Sequence, residues 1–221
     1  MSRLVVKVGG AVAARSAEAV LELAAADEVC VVHGAGPQIS LEMERAGIPV
    51  EFVGGRRVTT AEGLEVVRRS FAAVNEALCA AIGKRSVGLF GDEAGLHVED
   101  VPELGLVAEA SPVSLPRVVR LLEERKIPVV ATVTRGRNVN ADSAAAAIAE
   151  GIGADRLLFL TDVDGLIVGG EVVDSIDLDS AEALMSSGTL EGGIIPKLGA
   201  AIAAARGGVP AFIGRTEVPA G

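Results

Sequence analysis

Three short segments carry the residue types able to do chemistry. Near the N-terminus the apolar run Leu4-Val5-Val6 enters Lys7-Val8-Gly9-Gly10, and far downstream lie Asn138-Val139-Asn140-Ala141-Asp142 and Gly192-Gly193-Ile194-Ile195-Pro196-Lys197. In the first, glycines after a strand let backbone approach a ligand, and a helix started by Ser16 directs free N–H groups and partial positive charge at an anion. Lys7 adds a full charge, although a strand-edge lysine beside an ordinary turn fits this segment equally well. In the second, Asp142 stands at a helix start, either as the cap of that helix or as a carboxylate orienting distant lysines through charge-assisted hydrogen bonds. In the third, Lys197 falls in the first turn of a helix, where the dipole disfavours a cation by roughly 0.3 to 1 kcal/mol. A placement against local preference points to a task, and the three segments together read as a phosphoryl-transfer site.

Two further segments fit around that reading. His33-Gly34-Ala35-Gly36-Pro37 again joins an apolar strand to a helix, with Pro37 suited to the first helical position, which makes a second anion cradle. A dinucleotide-binding turn with Glu51 as the ribose acid is a rival reading, but the third glycine is missing and the turn follows the second strand. His33 reads as a packed or loop-orienting histidine and His97 as a hairpin-surface residue, so the two make no metal site. Gly54-Gly55-Arg56-Arg57-Val58-Thr59 places two arginines before a helix; Arg57 is the candidate fork for a substrate carboxylate and Arg56 reads equally as a solvated side chain.

Strand-like and helix-like runs must alternate to position these loops. The pattern predicts strands near residues 4–8, 29–32, 87–90, 127–134, 157–160 and 209–213, separated by helices, hence a parallel sheet covered on both faces. Thr60 caps a long helix running to about Ile82; residues 96–109 and the Gly169-Gly170 region read as hairpins. The 221 residues fit one α/β domain or two lobes sharing one sheet, and two lobes, 1–151 and 152–221, are the preferred division. Half the residues are hydrophobic, but in strand-length runs far short of a bilayer span, and Met1-Ser2-Arg3 leads into a strand with no export signal, so a soluble, cytoplasmic protein is expected. Cys30 and Cys79 have neither metal-ligand nor redox-pair spacing and read as reduced thiols. A formal charge of -10 with no Trp and no Tyr argues against a nucleic-acid binder.

Taken in order, VVKVGG, VVHGAGP, GGRRVT, AAVNEAL, GLFGD, NVNAD, LTDVDG and IIPK resemble the amino acid kinase family, within it the N-acetylglutamate kinases, over residues 3 to about 215. The resemblance implies an α/β three-layer αβα sandwich with a central, mostly parallel sheet, an N-terminal lobe for the acyl amino acid and a C-terminal lobe for ATP. It implies phosphorylation of the γ-carboxylate of N-acetyl-L-glutamate in arginine biosynthesis, with Mg²⁺ arriving on ATP. By the same resemblance Lys7 and Lys197 neutralise the transferring phosphoryl group and Asp142 holds both ammonium groups. Gly9, Gly10, Gly34 and Ala35 line the phosphate, with N–H groups from the last three; Arg57 and Asn138 bind the α-carboxylate region, supported by Asn140; Thr161 and Asp162 contact the nucleotide. Such transfer is mostly positioning and electrostatics, so a carboxylate nucleophile needs no strong base.

The sequence also departs from the family. HGGGP is HGAGP here, which sets the Ala35 methyl beside the phosphoryl path, and the chain stops soon after Phe212-Ile213-Gly214-Arg215, abbreviating the ATP lobe. It lacks the N-terminal helix of arginine-inhibited hexamers, which implies a homodimer insensitive to arginine that meets through the helix from Glu62 to Ile82. The alternatives are a kinase for carrier-linked aminoadipate or another acyl amino acid, and a catalytically weakened binding module of the same fold.

Overall fold

The computed structural model describes residues 1–9, 16–161 and 163–221. Its first half runs β1 (Arg3–Val8), α1 (Ser16–Ala26), β2 (Glu28–His33), α2 (Gly36–Arg45), the hairpin β3 (Phe52–Val53) and β4 (Arg56–Arg57), α3 (Ala61–Ile82), β5 (Ser86–Phe90), α4 (Gly91–Ala94), β6 (His97–Asp100) and β7 (Val107–Ser111). There follow α5 (Pro116–Glu123), β8 (Ile127–Ala131), β9 (Asn138–Val139), α6 (Ala141–Gly151), β10 (Arg156–Leu160), the hairpin β11 (Ile167–Val168) and β12 (Glu171–Val172), α7 (Leu178–Ser186), α8 (Ile194–Arg206), β13 (Ala211–Ile213) and β14 (Thr216–Val218).

One seven-stranded sheet, ordered β14-β13-β10-β1-β2-β8-β5, forms the middle layer. All its pairings are parallel except β13 with β14. The sheet passes without a break from residues 1–151 into residues 152–221, because β1 pairs with β2 on one side and β10 on the other. From β1 the chain turns towards β2, whereas from β10 it moves away to β13, and a crevice therefore opens at the carboxyl ends of β1 and β10.

Alternation along β1 assigns its side chains to two cores. Leu4, Val6 and Val8 pack with α1, α2 and α3, while Val5 packs with α5, α6 and α8. Lys7, two residues after Val5, lies on the α6 side and is only 6% exposed. The alanine run of α6 is wholly buried and faces the equally alanine-rich α8, so small side chains bring the two helices close. Thr60 caps α3 by accepting the Gly63 N–H, and Gly169 and Gly170, both at positive φ, turn the β11–β12 hairpin.

The structure differs from the sequence reading in three places. The arginine pair, placed by the sequence reading only in a segment before a helix, forms one strand of a two-stranded hairpin. The predicted strand over 127–134 stops at Ala131, after which the chain bends towards β9. Beyond residue 215, β14 adds an antiparallel edge strand, too short for the pattern to reveal, which ties down the segment before α7: Ile176 donates to Glu217 O and Glu217 N to Asp174 O, both at 2.9 Å. Among the described residues no helix is long and apolar enough to cross a membrane, and Cys30 and Cys79 are free thiols.

Candidate active site

A cleft of about 490 Å³ lies at the carboxyl ends of the central strands. Lys7, Gly9, Gly34, Ala35, Arg57, Asn138, Asn140, Asp142, Thr161 and Lys197 all line it, although they are spread along nearly the whole chain. Gly10 and Asp162, also singled out in the sequence, lie outside the described residues.

At its floor the Lys7 Nζ stands 2.7 Å from Asp142 Oδ1, with both side chains almost completely buried. Asp142 is not the cap of α6. That role belongs to Asn140, whose Oδ1 accepts the N–H of Asp142 at 2.9 Å and of Ser143 at 3.1 Å, which leaves the Asp142 carboxylate free to turn towards β1. Truncating one partner of such a pair strands a buried charge and costs about 3–5 kcal/mol. Lys197 also lines the cleft and donates to the carbonyl of Gly193 at 3.2 Å. Asp142 therefore orients Lys7 directly.

Three helices begin at the cleft: α2 through Ala35 and Gly36, α6 through Asn140 to Asp142, and α8 through Gly193 and Lys197. Their partial positive ends and the lysines favour an anion. The Gly34 N–H is not available to one, because it donates to Val8 O at 3.2 Å. The N–H groups of Ala35 and Gly36 have no acceptor among the described residues and are the donors the loop offers. Gly36 has open space where a side chain would stand and Gly34 meets only an ordinary contact, and neither needs a positive φ. The space they leave thus serves something outside the chain. Ala35 adopts φ -140°, which any residue takes without strain, and is 1% exposed within the core beside α2, so its methyl is absorbed by packing.

Arg57 is 7% exposed and donates to Gly36 O at 3.1 Å and Ser40 Oγ at 2.7 Å, with its guanidinium over the Phe52 ring at 4.6 Å. Among the described residues no carboxylate pairs with it, and burial lowers its pKa from the ordinary arginine value. An unpaired buried fork on a cleft wall suits a ligand carboxylate. Arg56 is instead paired with Glu109 at 2.7 Å. Asn138 donates to Thr59 Oγ1 at 3.1 Å, and Thr59 donates in turn to Arg57 O at 3.1 Å, so a fully buried hydroxyl links the two candidate acid-binding residues. Thr59 was visible in the sequence only as the end of GGRRVT; its role depends on the segment after β4 coming within reach of Asn138 on β9. His33 is wholly buried against Phe71, and burial pushes its pKa down to about 4, so its ring is neutral. Among the described residues no group of three or more His, Cys, Asp or Glu side chains is placed to hold a metal ion.

The sequence matches the amino acid kinase family over residues 2–215. Over 224 residues, 96% of this chain and 88% of the relative, it is 43% identical to the acetylglutamate kinase of Rubrobacter xylanophilus. It is 42% identical over 203 residues to the acetylglutamate kinase of a Nocardioides species, covering 81% of this chain and 64% of the relative's length. Among solved structures it superposes on smu.665 from Streptococcus mutans with a TM-score of 0.86 at 26% identity, covering 99% of this chain and 98% of that one. Fold, ordered motifs and kinship agree: the chain belongs to the amino acid kinase family.

Proposed function

We propose that this protein transfers the γ-phosphoryl group of MgATP to the side-chain carboxylate of N-acetyl-L-glutamate, a step of arginine biosynthesis, as the names of its relatives suggest. The observation that carries the reading is the Lys7–Asp142 pair at the floor of a cleft onto which three helix starts and Lys197 open. In the reaction a carboxylate oxygen forms a bond to the γ-phosphorus, the bond to the ADP oxygen breaks, and no proton moves because the nucleophile is already ionised. Lys7 and Lys197 counter the charge on the equatorial oxygens, and the Ala35 and Gly36 N–H groups receive the oxygens from the side of α2. Arg57 and Asn138 hold the α-carboxylate end, with Asn140 fixing the start of α6. Thr161 and Asp162 belong to the nucleotide side, and Mg²⁺ enters with ATP as substrate.

Residues 1–151 then act as the acid-binding lobe and 152–221 as the nucleotide lobe, in a cytoplasmic homodimer that meets through α3. The test is to incubate the purified protein with MgATP and each candidate acid and to trap acyl phosphate with hydroxylamine. Hydroxamate from N-acetylglutamate is expected. Its absence with that acid but presence with another acyl amino acid moves the substrate, and its absence with every acid despite ATP binding makes the chain a binding module.

A further inference from the structure

The polar pair Asn75–His33 lies behind the cleft, and no step above uses it. His33 ends β2 and, by alternation with Val29 and Val31, turns towards α3, where Asn75 lies beside Phe71 and Leu78. The Asn75 Nδ2 is 3.0 Å from His33 Nε2 and 2.9 Å from Val129 O. Because Val129 O only accepts, the nitrogen of the amide must face it, and its second hydrogen points at Nε2. Nε2 is therefore the ring's bare nitrogen and the proton sits on Nδ1, which lies 3.3 Å from the carbonyl of Gly34. The depressed pKa of the buried ring agrees with a neutral imidazole.

Gly34 O and the Ala35 N–H belong to the same planar peptide unit and, in the trans form, point in opposite directions. A carbonyl held inward by His33 turns the Ala35 N–H outward, to the cleft that Ala35 lines. We infer that Asn75 and His33 are positioning residues, which fix the Gly34–Ala35 peptide so that the Ala35 N–H is aimed at the transferring phosphoryl group. Space for this arrangement is built into β5: a Cβ on Gly88 would stand 2.2 Å from Asn75 Oδ1. Gly88 thus admits Asn75, Asn75 selects the tautomer of His33, and the tautomer sets the loop. The inference rests on the phosphoryl-transfer reading of the cleft.

The direct measurement is the tautomer. In ¹⁵N-histidine-labelled protein carrying His97→Gln, long-range ¹H–¹⁵N spectra at neutral pH are expected to show His33 protonated on Nδ1 alone; protonation on Nε2 overturns the inference. Asn75→Leu removes the donor, and Gly88→Ala displaces the same side chain from a neighbouring strand. Each is expected to lower kcat about 10- to 100-fold, below the full loss of an oxyanion donor, while KM for ATP and for the acid shift less than about threefold. Unchanged kcat in folded Asn75→Leu, or a loss confined to KM, overturns it. The Ala35 amide resonance is to be followed on titration with a non-hydrolysable ATP analogue, Mg²⁺ and the acid. It is expected to shift in the parent and to lose most of that shift in Asn75→Leu; equal shifts in both overturn the inference. Should the parent protein form no hydroxamate, the functional reading fails, whereas the tautomer and the Ala35 resonance still decide this one.

Discussion

Lys197 sits at the end of α8 where the helix field is least favourable to a cation, and its Nζ donates to the Gly193 carbonyl at that helix start. A side chain held there at a cost is suited to meet charge that develops only during reaction. Lys197→Ala is therefore expected to lower kcat by about 10² or more, the scale of losing one stabilising donor, with the thermal midpoint within a few degrees of the parent. Near-normal turnover in the hydroxamate assay removes Lys197 from the site. Arg57 invites a different substitution. Arg57→Lys keeps a charge but loses the planar fork, so KM for the acid is expected to rise about tenfold or more while KM for ATP holds. Steady-state kinetics with each substrate varied separates the two, and a rise in both constants places Arg57 elsewhere.

The elements matter through their ends. Strands β1, β2 and β10 deliver their loops to one edge, and helices α2, α6 and α8 start there, so backbone dipoles and lysines converge without any run of basic sequence. The short β14 works at a distance from this edge. Thr216 is fully buried, accepts the Leu166 N–H at 2.8 Å and donates to Val173 O at 2.6 Å, and so fastens the chain between β10 and α7. Thr216→Val keeps the shape and removes both bonds, leaving a buried donor and acceptor unmatched. A loss of about 1–3 kcal/mol is expected in urea unfolding, and no loss means that this strand contributes little to holding the segment.

At the scale of the whole molecule, His33 makes folding sensitive to acid. Its pKa falls from 6.5 to about 4 on burial, so the unfolded chain takes up a proton that the folded chain refuses. Stability is therefore unaffected above pH 6.5, declines as pH falls through that value, and levels off below about pH 4. The full drop is about 3 kcal/mol at roughly 1.4 kcal/mol per pKa unit. Urea denaturation at successive pH values, compared with His33→Gln, isolates the contribution; parallel curves for the two proteins refute it. The same side chain thereby joins the stability of the sheet to the setting of the Ala35 loop.

The alternation of strands and helices, the capping of α3 by Thr60 and the Gly169-Gly170 hairpin were legible in the chain, because propensity, periodicity and turn chemistry are local. Which group caps α6 was not, since Asn140 and Asp142 are both good caps and only the approach of β1 decides that the aspartate turns to Lys7. Nor could the chain reveal that the Gly34 N–H donates to Val8, that Thr59 links Asn138 to Arg57, or that Asn75 reaches His33 from α3. Those choices depend on partners dozens of positions away, and a hydrogen bond is selected by distance and angle rather than by residue type. Sequence by itself determined the parts and their chemistry; the packing of two helical layers on one sheet decided which donor faces which acceptor.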